Sequence, residues 1–175
     1  FPRFLLSKMD TIIATTHEAS SYVDRCDAII PHGIDTEVFT PPEDKLAAWQ
    51  QSGLPGKYGI GIFGRIRAEK GTDLFVEAMC RLLPKYPEFT AIIAGHCKSK
   101  DIPFKEALKK KLSDAGIEDR VIWLGQVSAD ERHLWFQRIA VCVAPPRYEG
   151  FGLTPVEAMS CGATVVATRT GIFPT

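Results

Sequence analysis

From residue 58 onward the chain alternates short apolar runs with helix-period segments, and this alternation limits the fold more than any other feature. "YGIGIFG" (58–64), "FTAIIAG" (89–95), "RVIWLG" (120–125), "AVCVAPP" (140–146) and "TVVAT" (164–168) read as strands. Between them lie segments with helical spacing: 72–86, with Leu74, Phe75, Ala78, Met79, Leu82 and Leu83 at helical intervals, then 104–116, 130–139 and 154–162. Strands that need a helix to return for the next strand build a parallel sheet covered on both faces. Five of them predict a doubly wound, Rossmann-like α/β fold with strand order 3-2-1-4-5. Ligands of such sheets bind at the carboxyl ends of the strands flanking the point where the order reverses. Here that selects the loops after the first and fourth strands, "GRIRAEKG" (64–71) and "PPRYEGFG" (145–152).

Upstream, "TIIAT" (11–15) and "AIIP" (28–31) read as two more strands around the helix-like "HEASSYV". "HGIDTEVFTPPEDK" (32–45) carries turn residues and a paired proline, which predicts an interdomain linker. The expected division is therefore 1–39 as the tail of a preceding domain plus linker, and 40–175 as the doubly wound domain. The chain starts without methionine and stops after a strand-like run, so both domains are expected to be truncated.

Composition narrows the partners. A formal net charge of zero, with basic residues dispersed over a solvated helix face in "FKEALKKKLSDAG", disfavours nucleic acid. Five cysteines, an odd number without a CxxC pair, read as free thiols in a reducing cytoplasm. No apolar run approaches the roughly 18 residues of a membrane span, and the apolar part of "FPRFLLSKMD" is too short for a signal peptide. A peripheral role at the inner face of the cytoplasmic membrane stays compatible with this composition.

The first loop offers Arg65, Arg67 and Lys70 between Gly64 and Gly71, a set that suits a phosphate approached from different sides. A solvated turn in which Glu69 pairs with a lysine would use the same residues. In the second loop, Gly150 and Gly152 permit close backbone approach ahead of a helix start, which directs N–H groups and partial positive charge at an anion. Thr154, Pro155 and Glu157 have the spacing of a capping box, so Glu157 reads first as a structural cap. Glu149 beside an anion site calls for a polar partner, such as sugar hydroxyls.

Other signals are weaker. Gly59, Gly61 and Gly64 match the GxGxxG dinucleotide fingerprint, but they lie inside the strand rather than after it, and no acidic residue follows the second strand at the right distance, since that strand ends with His96. His17, His32, His96 and His133 have no metal-ligand spacing, so no metal site is expected. No GxSxG elbow or P-loop lysine is present, and Trp123, Trp135 and Phe136 read as core.

"EGFGLTPVE" (149–157) resembles the E-x7-E signature of retaining glycosyltransferases with the GT-B fold, glycosyltransferase family four. "GRIRAEKG" is similar to that family's G-R-x4-K phosphate loop, and "IPHGIDTEVFTPP" to its interdomain linker. Within the family, "FPRFLLSKMD" and residues 53–79 resemble the bacterial lipopolysaccharide-core mannosyltransferases. The resemblance implies that 40–175 is the C-terminal, nucleotide-sugar-binding domain and 1–39 the tail of the acceptor domain. It implies a metal-independent hexosyltransferase without a cofactor, which moves mannose from GDP-mannose onto a lipopolysaccharide-core or related glycan or glycolipid. Arg65 and Lys70 would hold the diphosphate with Gly64 and the backbone of Gly152, Leu153 and Thr154. Glu149 would contact the donor sugar beside Gly150 and Phe151, Glu157 the ribose while capping its helix, and the backbone at Val127 the base. With most of the acceptor domain missing, the fragment itself is expected to bind nucleotide but to turn over poorly. A non-catalytic nucleotide-sugar-binding module and a sugar-nucleotide epimerase or phosphorylase of the same architecture remain alternatives.

Overall fold

A computed structural model describes residues 3–173. Residues 1, 2, 174 and 175, at the outer ends of the two expected domains, lie outside the described residues. In chain order the elements are α1 (Arg3–Leu6), β1 (Ile13–Ala14), α2 (His17–Ser20), β2 (Ala28–Ile29), α3 (Lys45–Gln50), β3 (Tyr58–Phe63) and α4 (Thr72–Leu82). There follow β4 (Phe89–Ala94), α5 (Ile102–Asp114), β5 (Val121–Gly125), α6 (Ala129–Arg138), β6 (Ile139–Ala144), α7 (Leu153–Ser160) and β7 (Thr164–Ala167). β1 and β2 form a small parallel pair. The main sheet is fully parallel in the order β5-β4-β3-β6-β7, the expected 3-2-1-4-5 counted within that sheet.

Strand alternation divides the core into two layers. Ile60, Ile62, Ala91 and Ile93 face α4 and α5, meeting Phe75, Val76, Met79, Leu83, Leu108 and Leu112. Phe63, Ile92, Ala94 and Cys142 face the other side, where Trp49, Phe136 and Ala158 arrive from α3, α6 and α7. The expected stripe on α4 is corrected in phase: Leu74 is 40% exposed and Ala78 is also exposed, whereas Val76 is buried. The wide apolar face of the helix rotates so that Phe75, Val76, Met79 and Leu83 all reach the sheet. Trp123 and Trp135 are only half-buried, and lie beneath the cations of Lys105 and Arg138 at 5.4 Å and 4.9 Å. The lysine-rich face of α5 is solvated as expected, with Lys110 paired to Asp114 at 2.7 Å.

The glycines of "GIGIFG" serve packing. Gly59 and Gly61 lie within β3, and a Cβ on Gly59 would overlap the ring of Trp49. That tryptophan comes from α3, a helix the sequence reading assigned to no element. Asp44 caps α3 by accepting from the N–H groups of Leu46 (2.8 Å) and Ala47 (3.2 Å). Lys45 Nζ then donates to the carbonyls of Ile139 and Cys161, each at 3.0 Å. The expected linker is therefore fixed from Phe39 onward: Phe39 is buried against Phe136, and Ser160 and Gln137 donate to the carbonyls of Phe39 and Thr40.

Candidate active site

The loops after β3 and β6 meet, as the reversal in strand order requires. Arg147 joins them: its guanidinium grips both carboxylate oxygens of Asp73 at 2.9 and 2.7 Å and donates to the carbonyl of Ala68, while its backbone N–H donates to Glu69. This hydrogen bond to Arg147 is the largest of the effects that hold the Asp73 carboxyl below the ordinary range. Neither Arg147 nor Asp73 was singled out in the sequence, because neither has a local signature. Only the meeting of two segments some seventy residues apart pairs them.

Gly71 makes the second junction. It adopts φ 72°, and a Cβ there would strike the carbonyl of Pro145. Gly71→Ala is accordingly expected to cost about 1–2 kcal/mol from the left-handed backbone alone, with a further loss as the loops separate. Thermal unfolding and nucleotide titration of the variant check this, and unchanged values in both would show that the junction does not matter.

Between these junctions Lys70 Nζ sits 2.7 Å from Glu149 Oε2, and the Lys70 stem lies over Gly64. Glu149 Oε1 accepts weakly from the N–H groups of Phe151 and Gly152, each at 3.4 Å. Burial, the largest single influence, raises the Glu149 carboxyl, but Lys70 and these amides outweigh it and hold it below the ordinary carboxylate range. The polar partner of Glu149 in this structure is thus a lysine and the helix start. Glu149 also stands beyond the end of β6, five residues after Ala144, on the connecting loop. Glu69 pairs locally with Arg67 at 3.8 Å rather than with a lysine, which leaves Lys70 to the second loop. Arg65 is exposed, and among the described residues no hydrogen bond or ion pair engages its side chain.

The capping box is a misreading. α7 starts two residues earlier than the box requires, with Gly152 (φ 69°) as its N-cap and no side-chain cap. Thr154 and Pro155 are then the second and third helical residues, and Glu157 is too far into the helix to reach the cap. The consequence is favourable for an anion. Leu153 and Thr154 carry N–H groups that helix geometry leaves unpaired, and no side chain closes the end. Glu157 is instead buried, 6% exposed, with Oε1 accepting from Arg132 at 3.1 Å.

Gly150 is half-buried, and Phe151, 54% exposed, meets His32 edge-on at 4.7 Å. A crevice of about 140 Å³ runs between this loop and the N-terminal segment, bounded by Thr15, Thr16, Glu18, Tyr148, Gly150 and Phe151. Val127 follows β5 and packs its side chain against the core layer that contains Phe136. The structure thus brings Gly64, Lys70, Glu149, Gly152 and the start of α7 together. Val127 lies on a third loop and Glu157 one turn into α7.

The family model of group 1 glycosyl transferases matches residues 46–175. The chain belongs to the group 1 glycosyltransferase family. It is 40% identical over 173 residues, 99% of its length, to a lipopolysaccharide core biosynthesis mannosyltransferase of Rhizobium leguminosarum bv. viciae. A lipopolysaccharide core biosynthesis mannosyltransferase of Rhizobium meliloti is 44% identical over 172 residues, 98% of the chain. These matches cover 49% and 48% of the two relatives, so the chain spans about half the length of the mannosyltransferases it matches. Among solved structures, the C-terminal domain of a group 1 glycosyl transferase from Francisella tularensis is similar with TM-score 0.78 and 42% identity, over 81% of this chain and 73% of that one. An Anabaena protein solved in complex with UDP-glucose shares the fold at TM-score 0.79, with 22% identity over 98% of this chain and 50% of its own. The matches establish the expected fold as the C-terminal domain of a GT-B glycosyltransferase. Among the described residues no helix is long and apolar enough to cross a membrane, and the five cysteines are free.

Proposed function

We propose that this chain is the donor-binding half of a retaining mannosyltransferase, which transfers mannose from GDP-mannose to a lipopolysaccharide-core or related glycan, free or as a glycolipid met at the membrane surface. The observation that carries the reading is the convergence of Lys70, Glu149 and the uncapped start of α7, with Lys70 and the Gly152 N–H bound to opposite oxygens of one carboxylate. As the glycosidic bond breaks, negative charge grows on the leaving diphosphate. A preorganised ammonium and amide dipoles stabilise that charge more in the transition state than in the ground state. Lys70, with Arg65 beside Gly64, supplies positive charge from the first loop, and the N–H groups of Leu153 and Thr154 meet the same oxygens from the second. No metal or cofactor is required by this scheme. Glu149, displaced from Lys70 when phosphate arrives, is free to accept from hydroxyls of the donor sugar beside Gly150 and Phe151. Glu157 takes the ribose and the Val127 backbone the base.

Residues 1–39 belong in this reading to the acceptor-side domain, and the crevice under Phe151 is part of the interdomain cleft. Since that domain is barely represented, the 175-residue chain by itself binds nucleotide and transfers slowly.

The deciding experiment is Glu149→Ala in the full-length protein, assayed for mannosyl transfer and, by calorimetry, for GDP, UDP and ADP affinity. The expected result is loss of transfer with GDP affinity nearly intact, because the diphosphate contacts remain. Unchanged transfer, or preference for another nucleotide, would sink the reading.

A further inference from the structure

Glu157 and Arg132 are paired in an unusual way. The carboxylate lies on the inner side of α7, and Arg132 reaches it from α6 with its guanidinium 5.9 Å from the Phe39 ring. An arginine so placed commonly forks onto both oxygens. Here only one bond forms, to Oε1, and both Arg132 Nε and Glu157 Oε2 are buried without a protein partner. Buried polar atoms are nearly always paired, so an orphaned acceptor on a 6% exposed carboxylate, one turn behind the uncapped start of α7, points to a donor supplied by a ligand.

We propose that Arg132 is a positioning residue: its single bond to Oε1 aims the Glu157 carboxylate and reserves Oε2 for a vicinal diol, here the ribose of the donor nucleotide. This rests on the reading of the site given above, in which Glu157 meets the ribose. The charge environment agrees. Burial raises the Glu157 carboxyl, and Arg132 is the cation that pulls it back. The other titratable groups around it are neutral thiols: Cys142 on β6, pushed up to about 12, and Cys161 after α7, at about 11. Lys45 on α3 is bound to backbone carbonyls at Ile139 and Cys161. β7 contributes no titratable side chain. Without Arg132 no cation is left in contact with the carboxylate. Burial then goes unopposed and the carboxyl rises further, and a protonated carboxyl has lost acceptor capacity toward a diol.

The test is calorimetric titration of GDP, UDP and inorganic pyrophosphate into the full-length protein between about pH 6 and about pH 8.5, the side on which a raised carboxyl titrates. Each variant is read against wild type at the same pH, which cancels the titration of the phosphates themselves. Arg132→Met should bind the nucleotide about tenfold more weakly than wild type at the acid end and approach wild type as pH rises. Pyrophosphate, which has no ribose, should bind it as it binds wild type. Arg132→Lys should restore the wild-type affinity at every pH. A nucleotide profile in Arg132→Met identical to wild type overturns the proposal. If Arg132→Met loses pyrophosphate as well, Arg132→Gln is measured instead, and the same loss there would make Arg132 merely structural and also overturn it. Glu157→Gln separates the two levels of argument: if it leaves nucleotide affinity unchanged, or if wild type binds neither GDP nor UDP, the underlying reading of the site has failed. If Glu157→Gln weakens the nucleotide and Arg132→Met does not, only the role of Arg132 has failed.

Discussion

Lys70→Ala in the full-length protein is expected to lower kcat by about 10²–10³-fold, the range seen when one preorganised charge-stabilising group is removed from a transition state. The ammonium stands 2.7 Å from Glu149, its stem lying over Gly64, and it supplies a unit charge where the α7 start supplies only partial ones. A loss mainly in KM would mean that Lys70 holds the ground state and the leaving diphosphate equally. The variant also changes the pH profile, with a definite sign. Lys70 is the main influence holding the Glu149 carboxyl down against burial. In wild type that carboxylate stays ionised until pH falls below the ordinary carboxylate range. In Lys70→Ala burial is less opposed, the carboxyl rises, and residual activity should decline on acidification at a higher pH than wild type. A profile parallel to wild type would show that Lys70 does not control Glu149.

Trp49→Ala is the substitution expected to cost the most stability, about 3–5 kcal/mol for a fully buried tryptophan, which corresponds to a Tm lowered by roughly 6–20 °C in a chain of this size. The ring is 1% exposed, covers Gly59 near the start of β3, and donates from Nε1 to the carbonyl of Gly56 at 3.1 Å. Gly59 and Gly61 offer no side chain on that face of β3, and Phe63 is already packed against Phe136 at 4.6 Å. Collapse is therefore limited and the cavity cost stays high. A Tm within a degree or two of wild type would show that α3 contributes little to the fold, contrary to its packing. Trp123→Ala, half-exposed beneath Lys105, is the natural comparison and should cost less.

Most of the architecture was legible before any coordinates. Each of the five strands of the main sheet was read within two residues of its observed limits, and the order followed from right-handed crossovers and the alternation of element types. α3 was not legible, since a two-turn helix behind a double proline has too few residues to establish a period. Its assignment depends on Trp49 finding the glycines of β3. The capping box failed for a related reason: Thr154, Pro155 and Glu157 satisfied a local pattern, but left-handed Gly152 starts the helix earlier. The buried position of Glu157 is set by α6 and β6, elements absent from the motif itself.

The chain's own periodicities and loop compositions determined the sheet, the two loops at its reversal, and the residue types that can meet a diphosphate. Those signals are local: strand period, helix period, glycines and cations within a few residues. Tertiary structure alone decided that Lys70 would bind Glu149, that Arg147 would lock onto Asp73, and that Arg132 would hold one oxygen of Glu157 and leave the other. Such pairings join residues 25 to 79 positions apart. Their geometry depends on how whole helices and strands pack, and no short stretch of sequence records that.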